Sequence, residues 1–166
     1  MIKVSNVEKS YNLEKVLKGV DLTINDGEFI SIMGESGSGK STLINIMGGF
    51  LPADNGQVFW DEVEVNSLSE KQIAEKRCKE IGFVFQSFKL ISTLTAKENV
   101  YLPVMLGGRC GEETDKFIEE MINELNLTNM MDKYPHQLSG GQCQRVAIMR
   151  AFSYRPKTVI LDEPTG

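Results

Sequence analysis

Histidine is almost missing from this chain, which has only His136, and cysteine is scarce: Cys78, Cys110 and Cys143 are odd in number and far apart. No C-x-x-C pair occurs. Neither a zinc-ligand set nor a disulfide framework is therefore indicated, and a reducing cytosol suits such usage. No apolar run approaches the ~20 residues needed to cross a bilayer. The opening stretch from Met1 to Ser5 lacks the apolar centre of a signal peptide. If a membrane matters, the chain is expected to meet it through another protein. Positive charge is also in deficit, with 18 Lys and Arg against 23 Asp and Glu. Duplex-binding proteins usually carry a basic face, so nucleic acid is not expected as the main partner. The chain shows no internal repeat, low-complexity tract or linker. At 166 residues and 41% hydrophobic, it can bury roughly 70% of its unfolded surface, as one ordinary domain does.

An acidic balance says nothing against a nucleotide, because a phosphate loop works with local N–H groups and one lysine. Residues 34–42 match the loop pattern G-x-x-x-x-G-K-[ST] at Gly34, Gly39, Lys40 and Ser41. By composition, such a match in a chain this long has odds on the order of one in a few hundred. The apolar run Glu28–Met33 before it reads as a buried strand, and Leu43–Met47 after it has helix-like length. Gly34, Gly37 and Gly39 let the backbone curl and bring bare amides to an anion. A helix starting just behind adds its positive end. Lys40 supplies a mobile charge for the β- and γ-phosphates, and the Ser41 hydroxyl can ligate Mg²⁺. A flexible Gly/Ser turn is the plain alternative.

Elsewhere, residues 2–5 and 19–24 alternate as half-buried strands do. Tyr11, in the polar connection between them, is either a surface aromatic or a ring on which adenine stacks. Residues 57–60 and 62–65 read as two further strands. Ser69 and Gln72 have capping-box spacing, which predicts a helix to about Lys79. Ile81–Phe85 is apolar throughout, like a strand buried on both faces of a parallel sheet. It stops at Gln86, and in open α/β sheets ligands bind at that end. Helices are predicted from Thr95 to about Met105, broken by Gly107 and Gly108, and over Glu112–Leu125, where apolar residues recur at helical spacing.

Two more stretches carry chemistry. In Leu138, Ser139, Gly140, Gly141 and Gln142, Ser139 and Gln142 again have capping-box spacing, so a helix should start at the glycines. The stretch is either a glycine-rich cap or a second anion site at a helix N-terminus. Residues 158–161 form an apolar strand ending in Asp162 and Glu163. Adjacent carboxylates there are costly unless a cation is near. Mg²⁺ held by Ser41 would supply it, with Asp162 holding the ion's water shell and Glu163 orienting an attacking water.

In this order, the four stretches resemble the nucleotide-binding subunit of ATP-binding-cassette (ABC) transporters over all 166 residues. The resemblance makes Gly34, Glu35, Ser36, Gly37, Ser38, Gly39, Lys40, Ser41 and Thr42 the Walker A loop and Tyr11 the adenine-stacking aromatic. It makes Gln86 the Q-loop glutamine, contacting Mg²⁺ or the water and sensing the permease. Leu138–Gln142 become the signature, Asp162 the Walker B carboxylate, and Glu163 the catalytic residue alongside Gln86 and Lys40. The fold implied is α/β, a phosphate-loop (RecA-like) core with a mainly parallel sheet, an antiparallel β-subdomain and an inserted helical lobe. Residues 1–86 and 156–166 would form the core with the β-subdomain, and 87–155 the lobe. The resemblance also implies ATP and Mg²⁺ as cofactors and a second cassette, identical or not, packed head to tail. Ser139 would then bind the γ-phosphate of the partner's ATP. A separate membrane permease would dock from Gln86 to about Lys97, which puts the chain on the cytoplasmic face of the cell membrane.

Family members continue past Gly166 with an aspartate-containing loop, further strands and a switch histidine. The resemblance therefore implies a C-terminally truncated cassette, for which ATP binding is expected without hydrolysis alone. His136 precedes the signature and is not the switch histidine. Cys143 stands where members often carry Gln, Arg or Lys, and little effect is expected. The short lobe, Ser87–Val100 and Tyr134–Gly141 look like bacterial cassettes for lipoprotein release, macrolide export and antimicrobial-peptide resistance. A soluble cassette acting in DNA repair, on chromosomes or on ribosomes is the alternative. Chromosome and repair forms insert a long coiled coil before the signature, whereas only about fifty residues separate Gln86 from it here. A phosphate-loop kinase would have no use for Leu138–Gln142.

Overall fold

Alternating apolar and polar residues from Ile2 onward form a strand, β1 (Ile2–Tyr11), paired antiparallel with β2 (Glu14–Ile24). The computed structural model describes residues 1–12 and 14–163. Its contacts divide the chain into two units, Met1–Ala74 and Glu75–Gly166. In the first, β3 (Asn55–Trp60) pairs antiparallel with β1 and with the short β4 (Val63–Glu64), in the order β2-β1-β3-β4. Helix α1 (Lys40–Met47) buries Leu43, Ile46 and Met47. These join Val4, Val7, Leu17, Val58 and Trp60 among the buried apolar residues of this unit. The Trp60 indole N–H donates to the Met47 carbonyl at 2.8 Å. That satisfies one of the orphan carbonyls at the end of α1.

β1 runs on to Tyr11 and β2 starts at Glu14, so Tyr11 ends a strand instead of standing in a polar connection, and two further expectations for this unit change. β4 ends earlier than the alternation of residues 62–65 predicts. Asn66 Oδ1 accepts the Val58 N–H and the Ser67 hydroxyl donates to the Glu64 carbonyl. Such local side-chain bonds compete with a ladder, and a single 3₁₀ turn, Val65–Ser67, follows instead. The larger correction concerns Glu28–Met33, predicted as a buried strand. It pairs with no strand among the described residues, and Phe29 is 90% and Met33 88% exposed. An apolar run specifies burial but does not itself supply the neighbouring strand that a ladder requires.

The second unit includes β5 (Ile81–Val84) and β6 (Thr158–Leu161), parallel and in register from Ile81↔Thr158 to Val84↔Leu161. Parallel strands need a crossover, which here contains α3 (Ala96–Gly107), α4 (Glu112–Glu124) and α5 (Gly140–Phe152). Val100, Val104, Ile118, Leu127, Val146 and Met149 are buried together between them. Each such side chain contributes about 1.5–3 kcal/mol on burial. Helix α5 also lies close on β5. A Cβ on Gly82 would sit 2.3 Å from the Ala151 carbonyl oxygen, so only glycine fits there. Helix α2 (Glu70–Glu80) has the capping box its sequence predicts, with Gln72 Oε1 accepting from the Ser69 amide and hydroxyl. Helix α3 carries one at Thr95 and Glu98, contains Pro103, and runs to Gly107 before Gly108 caps it in the left-handed conformation.

Candidate functional site

Residues 34–39 run into α1 as a glycine loop. Gly37 (φ 82°) and Gly39 (φ 94°) are left-handed. Gly39 is doubly constrained, since a Cβ would meet Val16 Cγ1 at 2.9 Å and Leu17 Cδ2 at 3.0 Å on β2. Gly39 is also the N-cap of α1. No side chain caps that end and its first turn carries no acidic residue, so amides and dipole are left to an anion. Lys40 folds back across the loop and donates to the carbonyls of Gly34 (2.9 Å) and Glu35 (2.7 Å). Residues 35–38 are exposed and Ser41 lies on the first turn of α1, with Thr42 after it. Asn45 Nδ2 donates to the Ser41 carbonyl at 2.7 Å.

Tyr11 is the last residue of β1, opposite Glu14. Its ring is 45% exposed and has the Lys9 ammonium 6.0 Å from its centroid. The ring and the glycine loop belong to the same unit, and β1 pairs with the strand on which Gly39 rests.

The other candidates lie in the second unit. Pairing of β5 with β6 sets Gln86 and Glu163 side by side, just past the C-terminal ends of the two strands. The Gln86 amide donates to the Glu163 carboxylate at 2.7 Å. The Asp162 amide continues the ladder to the Val84 carbonyl at 2.9 Å, and its side chain is buried. Glu163 itself is exposed and left-handed, with φ 47°. Pro164, the next residue of that sequence motif, lies outside the described residues.

At the start of α5, Ser139 and Gln142 close the predicted capping box. The Ser139 hydroxyl accepts from the Gln142 amide at 3.3 Å, and Gln142 Oε1 accepts from the Ser139 amide at 2.8 Å. Leu138 is half-buried while Ser139, Gly140 and Gly141 are exposed. A Cβ on Gly140 or Gly141 would meet nothing of this chain within 4 Å. Burial pushes the thiol of the neighbouring Cys143 up from its ordinary pKa.

Sequence reading missed two residues that set the loop after Gln86. Arg150 on α5 donates through Nη1 to the Lys89 carbonyl (2.6 Å) and through Nη2 to the Phe88 carbonyl (2.7 Å). Burial lowers the pKa of its guanidinium from the ordinary value, but an arginine stays protonated near neutrality. Asn99 on α3 is fully buried. It accepts from the Ile91 amide and donates to the carbonyls of Ile91, Leu94 and Thr95. The available signals were a cation within the apolar stripe of α5 and an amide within that of α3.

A glycine loop of the phosphate-binding pattern that opens a helix, and a parallel strand that runs into two carboxylates, mark the phosphate-loop NTPase class. Residues 17–166 match the family described as ABC transporter. The bacitracin export ATP-binding protein BceA of Halalkalibacterium halodurans is 41% identical over all of this chain and 67% of its own length. The lipoprotein-releasing system ATP-binding protein LolD of Bacteroides thetaiotaomicron is 42% identical over all of this chain and 76% of its own. The dimeric structure of the ABC transporter cassette MJ0796 superposes with a TM-score of 0.93 at 44% identity, covering 100% of this chain and 75% of that one. MJ0796 belongs to Methanocaldococcus jannaschii. A post-hydrolysis form of the same cassette, bound to ADP and phosphate, gives 0.92 at 42% identity, covering 99% and 75%. The chain belongs to the ABC transporter family. 

Proposed function

We propose that this cassette binds Mg²⁺-ATP on Gly34–Thr42, pairs with a second cassette around two ATP, and drives a separate membrane permease. The observation that carries the reading of the site is the 2.7 Å contact of Gln86 with Glu163 at the ends of β5 and β6. It sets an amide that can sense the permease against the carboxylate that would orient the attacking water. Amides of residues 34–39 and the N-terminus of α1 receive the phosphates. Lys40 exchanges its loop carbonyls for phosphate oxygens, a gain in charge pairing. The Tyr11 ring supports adenine.

Each group assigned to the ion, the Ser41 hydroxyl in the first unit and the Gln86 amide and Asp162 carboxylate in the second, offers the oxygen donor that a hard cation takes. Mg²⁺ keeps waters and phosphate oxygens as most of its ligands. Among the described residues no group of three His, Cys, Asp or Glu could hold a metal. When bound, the ion would neutralise charge developing on the phosphates.

The open space over Gly140 and Gly141 suits a ligand arriving from outside this chain. We assign Leu138–Gln142 to the ATP of a partner cassette, as a dimeric relative suggests. Residues 87–155 would act as the helical lobe on the core formed by 1–86 and 156–166. No helix among the described residues is long and apolar enough to cross a membrane. The transporter-named relatives support a place on the cytoplasmic face of the cell membrane, held there through the permease. Relatives named for bacitracin export and lipoprotein release support a transporter of that group.

The test is a Mg²⁺-ATP titration of the chain, read by a fluorescent nucleotide analogue, with Lys40→Ala as control. Saturable binding that the substitution abolishes is the expected result. A well-folded chain that binds no ATP would refute the loop assignment.

A further inference from the structure

The loop after Gln86 is unusual in its backbone. Phe88 (φ 59°) and Lys89 (φ 48°) are consecutive left-handed residues and neither is glycine. Each costs roughly 1–2 kcal/mol relative to ordinary backbone. Such a pair persists only where its surroundings hold it. Asn99 holds the far side, through both backbone groups of Ile91 and the carbonyls of Leu94 and Thr95. The near side is held by Arg150, whose two terminal nitrogens take the adjacent carbonyls of Phe88 and Lys89. A guanidinium fork matches two carbonyls in fixed geometry, and its charge strengthens both bonds.

Arg150 stands in the last turn of α5, the helix that begins at Gly140. A helix of this length spans about 20 Å, with successive turns joined by backbone hydrogen bonds. Arg150 thus links Ser139–Gly141, along one helix, to the two gripped carbonyls, and Gln86 lies two residues before the first of them. Gln86 ends on Glu163.

We propose that Arg150 is a positioning residue that ties the signature helix to the loop and so presents the Gln86 amide to Glu163. The tie rests on the assignment of Gln86 and Glu163 to the hydrolytic site. It gives the signature helix a direct mechanical route to the carboxylate of its own chain.

The test is steady-state ATP hydrolysis by the full-length protein carrying Arg150→Ala, Arg150→Lys, Gln86→Ala or the Arg150→Ala/Gln86→Ala pair. Both Arg150 variants are expected to lower kcat by about tenfold to a hundredfold, because a small misplacement of a reacting group has that effect. The KM for ATP should stay within about twofold, since neither carbonyl belongs to the phosphate loop. Lysine keeps the charge and the fold but cannot grip two carbonyls at once, so it should not rescue the rate. Because Arg150 acts through Gln86, the double variant should be no slower than Gln86→Ala alone. Effects that multiply, or a wild-type kcat in Arg150→Lys, would overturn the tie while leaving the site assignment intact. A wild-type rate in Gln86→Ala would instead overturn the assignment and the tie with it.

Discussion

The side-chain amide of Gln86 donates to the carboxylate of Glu163 at 2.7 Å across 77 residues of sequence. The parallel register that ends at Val84↔Leu161 brings the two together. One residue thus joins the loop gripped by Arg150 to the carboxylate proposed to orient water.

Removing that carboxylate's charge should separate binding from turnover. Glu163→Gln in the full-length protein is expected to bind ATP normally and to hydrolyse it about 10²–10⁴ times more slowly. Equilibrium binding and single-turnover rates on the same preparation read both quantities. Unchanged turnover would place the base elsewhere.

The glycine loop has one position with no tolerance and one with some. Gly39→Ala meets a left-handed φ and the side chains of Val16 and Leu17 at once, and should cost about 2–4 kcal/mol. Gly37→Ala meets the φ alone, with nothing within 4 Å, and should cost about 1–2 kcal/mol. Chemical denaturation of the two variants measures the difference, and equal losses would mean the packing against β2 is not rigid.

Asn99 makes four hydrogen bonds at complete burial. Asn99→Ala would leave buried backbone groups without partners, at a cost of about 2–5 kcal/mol. Thr95→Ala removes only the cap of α3 and should cost about 0.5–2 kcal/mol. Melting curves of both test the order, and a Thr95 variant that is the less stable of the two would contradict it.

Acid should weaken the fold through carboxylates that are better partnered when folded. The Thr95 amide, and after it the Thr95 hydroxyl, hold Glu98 below its ordinary pKa. Lys9, then the Ser10 amide, do the same for Asp54. A depressed carboxylate contributes stability that is complete above its unfolded pKa and is lost as pH falls through its folded one. The melting temperature should therefore hold steady at neutral pH and drop below about pH 4. Glu98→Gln should make that drop shallower, and an unchanged slope would show that Glu98 is no better partnered when folded.

Much of this was legible in the sequence because the signals were local. Capping boxes at Ser69–Gln72 and Ser139–Gln142 start helices where their spacing says, and the apolar run at Ile81 becomes a strand. The same reasoning fails at Glu28–Met33, whose apolar side chains are exposed instead of buried. Its pairing depends on another strand, about which a local pattern is silent. Arg150 and Asn99 were missed for a related reason. Their partners are the backbone carbonyls and amide of residues 88–95, and a main-chain partner leaves no mark in the sequence of side chains.

Trp60 is the chain's only tryptophan, and it is buried in the first unit with its indole bonded to Met47. Its emission is therefore a private optical reporter. Fluorescence excited at the red edge of indole absorption follows the antiparallel sheet and the phosphate-loop helix alone, while circular dichroism sums over both units. The two halves of this cassette can be watched melting separately without a label, and coincident curves would mark a single cooperative transition.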